Sequence, residues 1–133
     1  MKIRQIQDGD YENILTKWWG EWGFESAPPK EMLPDTGFIA FDEDVPVCSC
    51  MVYMTNSKIA WITWVLSNRE YRKKPNRRLI LKDMLEEACQ SAKRAGYNAV
   101  FTVTNNAHAI RNFKDAGFIT SSTNAHELVK LWD

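Results

Sequence analysis

Residues 69–78 carry six bases, Arg69, Arg72, Lys73, Lys74, Arg77 and Arg78, against one acid, Glu70. Cations at this density hold phosphate, arginine through paired hydrogen bonds and lysine as a point charge. Three uses fit them: a small ligand bearing phosphates, a nucleic-acid backbone, or a solvated basic turn. A second cluster, Trp18, Trp19, Glu21, Trp22, Phe24 and Glu25, mixes rings with carboxylates. Ring faces and carboxylates together bind a cationic amine. The third segment runs from Asn106 to Phe118. Asn106 can cap a helix with its side-chain oxygen. Ala109, Ile110 and Phe113 form an apolar stripe at helical spacing, and Gly117 supplies the left-handed residue that ends it.

These clusters sit in a chain of 133 residues, the length of one domain, 1–133, with a real core. Its 17 bases balance its 17 acids, but unevenly. Residues 1–57 hold ten acids against four bases, and residues 58–133 hold thirteen bases against seven acids. Opposed halves imply two partner surfaces of opposite sign, or halves that attract each other in the fold. The N-terminus lacks an apolar stretch, and no run reaches the ~20 apolar residues of a membrane span, so no membrane association is expected. Cys48, Cys50 and Cys89 are odd in number and form no CxxC, and His108 and His126 lie far from them. Buried free thiols in a cytoplasmic protein, with no metal site, are the expectation.

The elements that must position the clusters read as follows. Residues 2–6 alternate as a strand. Asp8 or Asp10 caps a helix running toward Trp22, with Tyr11, Ile14, Leu15, Trp18 and Trp22 as its stripe. That leaves Trp19 and Phe24 off the stripe, as pocket or interface residues. Pro28, Pro29 and Pro34 make 23–35 a loop with at most one short helix. Residues 37–41 and 45–55 form a hairpin turning at Asp42-Glu43-Asp44, and 58–66 is the next strand. Trp61 and Trp64 fall on opposite faces of that strand as core residues, with Trp64 bordering a reaction site. A long helix follows to Ala95, with Leu81, Leu85, Ala88, Ala92 and Ala95 inward. Residues 99–103 are an apolar strand, and 118–120 with 126–132 read as a final hairpin. The step from 58–66 to 99–103 through the long helix predicts a right-handed parallel crossover, hence an α/β mixed sheet, mostly antiparallel, with helices on both faces.

This order, with the basic loop before the long helix and the Asn106–Phe118 segment near the end, resembles the GNAT superfamily of N-acyltransferases over nearly the whole chain. Small phage-borne members look closest, on the Trp-Trp-Gly-Glu-Trp-Gly segment at 18–23 and the Asn-Ser-Lys-Ile-Ala-Trp run at 56–61. The resemblance implies a single GNAT-like domain performing acetyl-CoA-dependent N-acetyltransfer to a primary amine, on a small molecule or a peptide, as a monomer or homodimer. The competing class is a non-catalytic module of the same fold that binds a protein or a nucleic acid.

The resemblance also implies a site. The family's Arg/Gln-x-x-Gly-x-Gly/Ala loop, whose backbone amides hold the cofactor's pyrophosphate, corresponds to Arg72-Lys73-Lys74-Pro75-Asn76-Arg77. Arg72 matches, and both glycine positions are replaced, by Pro75 and Arg77. Proline has no N–H, so one donor of the anion cradle is lost, at about 1.5–3 kcal/mol for a bond to a charged group. Arginine disfavours close backbone approach and positive φ. Side chains of the loop, Lys73, Lys74, Asn76, Arg77 and Arg78 with Arg72, would compensate. Val65, Leu66 and Ser67 would pair through their backbone with the pantetheine arm, an N–H there polarising the thioester carbonyl. Asn106 matches the family's cofactor-contacting asparagine. Phe113 stands where many relatives have the tyrosine that protonates the departing thiolate, a role worth ~10²–10⁴-fold. Water, or another hydroxyl such as Tyr71, could replace it. Glu21 or Glu25 would take the proton that an ammonium loses before attack.

Overall fold

The computed structural model describes residues 1–132. Five strands form one sheet in the order β1-β2-β3-β4-β5: β1 Lys2–Gln5, β2 Thr36–Asp42, β3 Val45–Met54, β4 Ile59–Ser67 and β5 Ala99–Phe101. The first three junctions are antiparallel. Only β4 and β5 run parallel, joined through the long helix α2, Arg77–Arg94, as the crossover reading predicts.

Alternation along β3 assigns the two faces. Cys48, Cys50 and Val52 point toward α2, whose Ile80, Leu81, Met84, Leu85, Ala88 and Ala92 are buried over that face. Met51 points the other way, under Leu15, Trp18 and Trp19 of the first helical segment. That segment comprises a π-helical stretch, Tyr11–Leu15, continuing into α1, Thr16–Glu21. The last helix, α3, Ala107–Asp115, packs beside α2. Helices therefore cover both faces, and full burial of each large apolar side chain contributes roughly 1.5–3 kcal/mol.

The thiols belong to this packing. Cys48, Cys50 and Cys89 are free, and burial pushes Cys48 up to about 12 and Cys89 up to about 11, with Cys50 raised further. All three stay protonated and unreactive near neutrality. Asp10 stands at the N-cap position but does not cap the helix. Its carboxylate accepts two hydrogen bonds from Arg4, at 2.7 and 3.0 Å, and one from the Gln7 amide at 2.7 Å. The Arg4 guanidinium, and then the Gln7 amide, hold its pKa below the usual carboxylate range. The pair ties β1 to the first helix.

Four expectations are corrected. First, Trp18 and Trp19 are the buried pair, each 2 % exposed, while Trp22 is 40 % exposed. The π-helical stretch adds a residue to one turn, which rotates everything after it by about 100° and brings Trp19 into the core. Second, Trp61 and Trp64 share one face and are each 37 % exposed. Trp61 lies opposite Tyr53 in the ladder, and Trp64 Nε1 donates to the Tyr53 hydroxyl at 3.1 Å. A bulge breaks the parity: Met51 pairs Thr63 but Ser49 pairs Leu66, so β4 holds one extra residue. Third, the last turn of α2 is solvated, and Ala95 is exposed. Fourth, the expected hairpin of 118–120 and 126–132 does not form: residues 118–132 carry no strand.

Gly37 is fixed by crowding. A Cβ there would lie 2.6 Å from Ile6 Cδ1 and 2.8 Å from the Cys50 carbonyl oxygen. Backbone cannot yield as a side-chain tip can. Gly37→Ala is expected to destabilise by about 1–3 kcal/mol, read as a lower urea midpoint. An unchanged midpoint would refute the close β1–β2–β3 packing.

Candidate active site

The bulge also shapes the space beside β4. Trp64 has φ of +53°, a left-handed conformation that is a genuine outlier for a bulky residue. Its ring meets Trp19 edge-on at 5.9 Å, and with the Tyr53 hydrogen bond this contact holds the strained backbone in place. Pairing with β5 ends at Trp61 opposite Phe101, although β4 continues to Ser67. β5 ends at Phe101, so past Trp61 the β5-side edge of β4, including Val65 and Leu66, has no strand paired to it among the described residues. The positive φ at Trp64 had no sequence signal.

At the end of β4 the backbone is pinned from several sides. Ser67 accepts from Trp22 Nε1 through its carbonyl, at 2.7 Å, and from Arg77 Nη2 through its hydroxyl, at 3.0 Å. Asn68, nearly buried, accepts from the Glu70 amide at 3.0 Å and donates to the Pro46 carbonyl at 2.9 Å. It thereby sets the short turn Arg69–Tyr71. The Arg69 guanidinium lies 5.4 Å from the Trp22 ring centroid and donates to the Glu21 carbonyl at 2.7 Å. Trp22, Arg69 and Asn68 thus join the end of α1 to the end of β4. Asn68 was legible as an Asx turn after a strand; the Trp22–Arg69 contact joins segments 47 positions apart and was not.

Between these elements lies an open cleft of about 600 Å³ lined by Glu21, Arg69, Glu70, Arg72 and Lys73. Glu21 Oε1 is buried and has no hydrogen-bond partner among the described residues. A carboxylate oxygen out of water without a donor is costly, and it belongs to a residue that lines the open cleft. Glu25 is exposed beyond the end of α1, outside the cleft lining.

The basic loop divides by function. Arg72 and Lys73 face the cleft, and Lys74 is exposed. The Asn76 side chain is committed: its oxygen accepts from Tyr71 at 2.9 Å and its amide donates to Asp42 at 3.2 Å. The single Tyr71 hydroxyl proton is shared between that oxygen and Asp42, and the Asp42 contact raises the Tyr71 pKa, so it is occupied as a proton donor. Arg78 forms a bidentate pair with Asp115, at 2.6 and 2.9 Å. Arg77 is half-buried, its Nε has no partner among the described residues, and burial depresses its pKa, with Arg111 of α3 adding like-charge repulsion. None of residues 72–77 has positive φ. The Lys74 amide turns back to the Tyr71 carbonyl at 3.1 Å and the Arg77 amide to the Lys74 carbonyl at 3.3 Å. Two successive turns replace the glycine loop without strain, at the cost of donors that no longer face outward.

Asn106 caps α3, its oxygen accepting from the Ala109 amide at 3.0 Å. Phe113 is 5 % exposed and packs edge-on against Phe118, centroids 5.0 Å apart. Arg111, two residues before it, went unnoticed in the sequence; its position on the helix facing the basic loop was the available signal.

No family model matches the sequence, and no curated protein matches it. Solved structures do. An aminoglycoside acetyltransferase, meta-AAC0020, from an uncultured soil metagenomic sample superposes with a TM-score of 0.71 at 16% identity, covering 98% of this chain and 96% of its own. A protein of Agrobacterium tumefaciens str. C58 assigned as an acetyltransferase gives 0.69 at 15%, covering 98% and 100%. AAC(6')-Iy, solved with the bisubstrate analog CoA-S-monomethyl-acetylneamine, gives 0.67 at 13%, covering 98% of each. The chain has the fold of these acetyltransferase structures, over nearly the whole of each chain.

Proposed function

We propose that the protein transfers an acetyl group from acetyl-CoA to a primary amine on a small molecule or peptide. The observation that carries this reading is the open edge of β4 past the Trp64 bulge, ending at Arg77. An extended arm with amide groups can pair with such an edge. The residues present fit a phosphate-bearing cosubstrate: Arg77 Nε lacks an acceptor and Arg77 repels Arg111, and an anion near both supplies the one and relieves the other. The side chains of Arg77, Arg111, Arg72 and Lys73 would hold the phosphates. Val65 and Leu66 would contribute backbone pairing; the Ser67 carbonyl is already taken by Trp22. Acetyl-CoA, when bound, supplies an activated acyl carbon and a thiolate leaving group.

The chain's own residues do the rest. Glu21 Oε1 accepts a hydrogen bond from the acceptor ammonium and takes its proton, freeing the lone pair for attack. Arg69 holds the Glu21 backbone, and Trp22 fixes the rim. Glu21 and Glu70 interrupt Arg69, Arg72 and Lys73, so the cleft lacks the uniform positive field suited to a nucleic-acid backbone.

Calorimetry with coenzyme A and acetyl-CoA tests the reading. Binding is expected at low salt and should weaken steeply as salt rises past about 0.1 M, where the Debye length is ~10 Å. Charge reversal at both Arg72 and Arg77 should abolish it. An intact protein that binds neither compound at low salt overturns the proposal. Buried Phe113 and the donor missing at Pro75 favour the second reading, a module that binds without turnover. Coenzyme A binding without thiol release would select it.

A further inference from the structure

The cleft beside α1 is lined by charges of both signs, Glu21 and Glu70 with Arg69, Arg72 and Lys73. None of these belongs to an ion pair among the described residues. Opposite charges that share a cleft without neutralising each other leave both signs available to a ligand. Such a lining selects against ligands of one sign. A polyamine meets the three cations, and an anion meets the two carboxylates, at a Coulomb cost that grows as water leaves.

Arg69 is the fixed cation of the set. Its guanidinium donates to the Glu21 carbonyl at 2.7 Å and lies 5.4 Å from the Trp22 ring centroid. Trp22 is itself held, through Nε1, by the Ser67 carbonyl at 2.7 Å. The turn that carries Arg69 is set by Asn68, which accepts from the Glu70 amide at 3.0 Å. One hydrogen bond leaves the remaining donors of the guanidinium fork unused among the described residues, in the planar arrangement that matches a carboxylate. Glu21, whose backbone anchors that fork, offers the unpartnered oxygen Oε1. One anchored pair of residues therefore supplies a donor for a carboxylate and an acceptor for an ammonium. With Arg72 and Lys73 assigned to the phosphates, Arg69 is the cation left for the acceptor.

We propose that the acceptor is a free amino acid, an inference that rests on the acetyl-transfer reading above. Arg69 binds its carboxylate and Glu21 its α-ammonium. A free amino acid carries the two charges on one carbon. A lysine side chain within a peptide has no carboxylate beside its amine, and a polyamine has none at all. Glu21 takes one proton from the ammonium, and the freed nitrogen bonds to the acetyl carbon. The carbon–sulfur bond breaks, and the second proton that nitrogen loses goes to the departing thiolate. The products are an N-acetyl amino acid and coenzyme A.

The test is thiol release from acetyl-CoA by the full chain. The acceptors are the proteinogenic amino acids, their carboxamides, and the amines left when the carboxyl is removed, beside polyamines and lysine peptides. The best amino acid is expected to exceed its own two analogues by roughly 10- to 100-fold in kcat/KM, the contribution of a hydrogen bond between charged groups. Arg69→Gln keeps an N–H and removes the charge. It should collapse that ratio to within about threefold of unity, whatever it does to the absolute rates, and Arg69→Lys should keep part of it. Analogues used as well as the amino acid, or a preference for polyamines or lysine peptides, overturn the proposal and leave acetyl transfer standing. So does a ratio that Arg69→Gln leaves unchanged. If that variant is inactive on every acceptor, the ratio in the parent protein decides alone. Thiol release with no acceptor of any class overturns acetyl transfer itself, and this acceptor class with it.

Discussion

Glu21→Gln is expected to lower acetyl transfer to a primary amine by about 10²-fold or more in kcat/KM, the range of a lost general base, with coenzyme A affinity unchanged. Glutamine keeps the shape and removes both the charge and the capacity to take a proton. Arg69 holds Glu21 through its backbone carbonyl at 2.7 Å, so the substitution leaves that contact in place. Glu25→Gln is the control. Glu25 is exposed and outside the cleft, and its substitution should leave turnover within about twofold, as surface changes generally do. Stability supplies a second readout. The Glu21 Oε1 atom is buried without a donor, so Glu21→Gln should melt no lower than the parent. Full turnover in a Glu21→Gln protein that melts no lower would remove the proposed base.

The architecture was legible because its signals are local and repeated. Strand alternation, the stripe of Leu81, Leu85, Ala88 and Ala92, the cap at Asn106 and the stop at Gly117 each follow from one short window, and the crossover rule joins them into a sheet with one parallel pair. Failures came where a single inserted residue shifted the phase. The π-helical stretch at Tyr11–Leu15 exchanged the roles of Trp19 and Trp22, and the extra residue at Trp64 put Trp61 and Trp64 on one face. Neither insertion changes composition or average period, so neither is visible without the pairing partner. The cation cluster was likewise legible as a cluster but not as a division of labour. Arg78 is spent on Asp115 and Asn76 on Asp42, through contacts 37 and 34 positions away, while Arg77 is left with an unpartnered nitrogen. Such assignments are made by tertiary neighbours that the residues themselves do not specify.

Phe113→Tyr should raise thiol release from acetyl-CoA by up to ~10²-fold on a good amine, the low end of general acid catalysis. In the resembling family this helix position holds the hydroxyl that protonates the departing thiolate, and the ring here is already placed, 5 % exposed and braced edge-on by Phe118 at 5.0 Å. Adding one oxygen changes no other contact type. Tyr71 is not an existing substitute, since its hydroxyl is held by Asp42 and Asn76, which leaves the thiolate of the proposed reaction without that donor. Phe113 belongs to the core cluster with the buried side chains of α2 and is 5 % exposed, and the expected gain requires the added hydroxyl to reach the open side of that cluster. The cost should then stay below the roughly 1–3 kcal/mol of a sealed, unpaired hydroxyl. The measurement is thiol release with polyamines, amino acids and lysine peptides as acceptors, beside the melting temperature of both proteins. Faster release with a nearly unchanged melting temperature supports transfer at this site. A variant that melts several degrees lower and releases no more thiol than the parent has buried its hydroxyl in closed core, and counts against catalysis in favour of a binding module with the same fold.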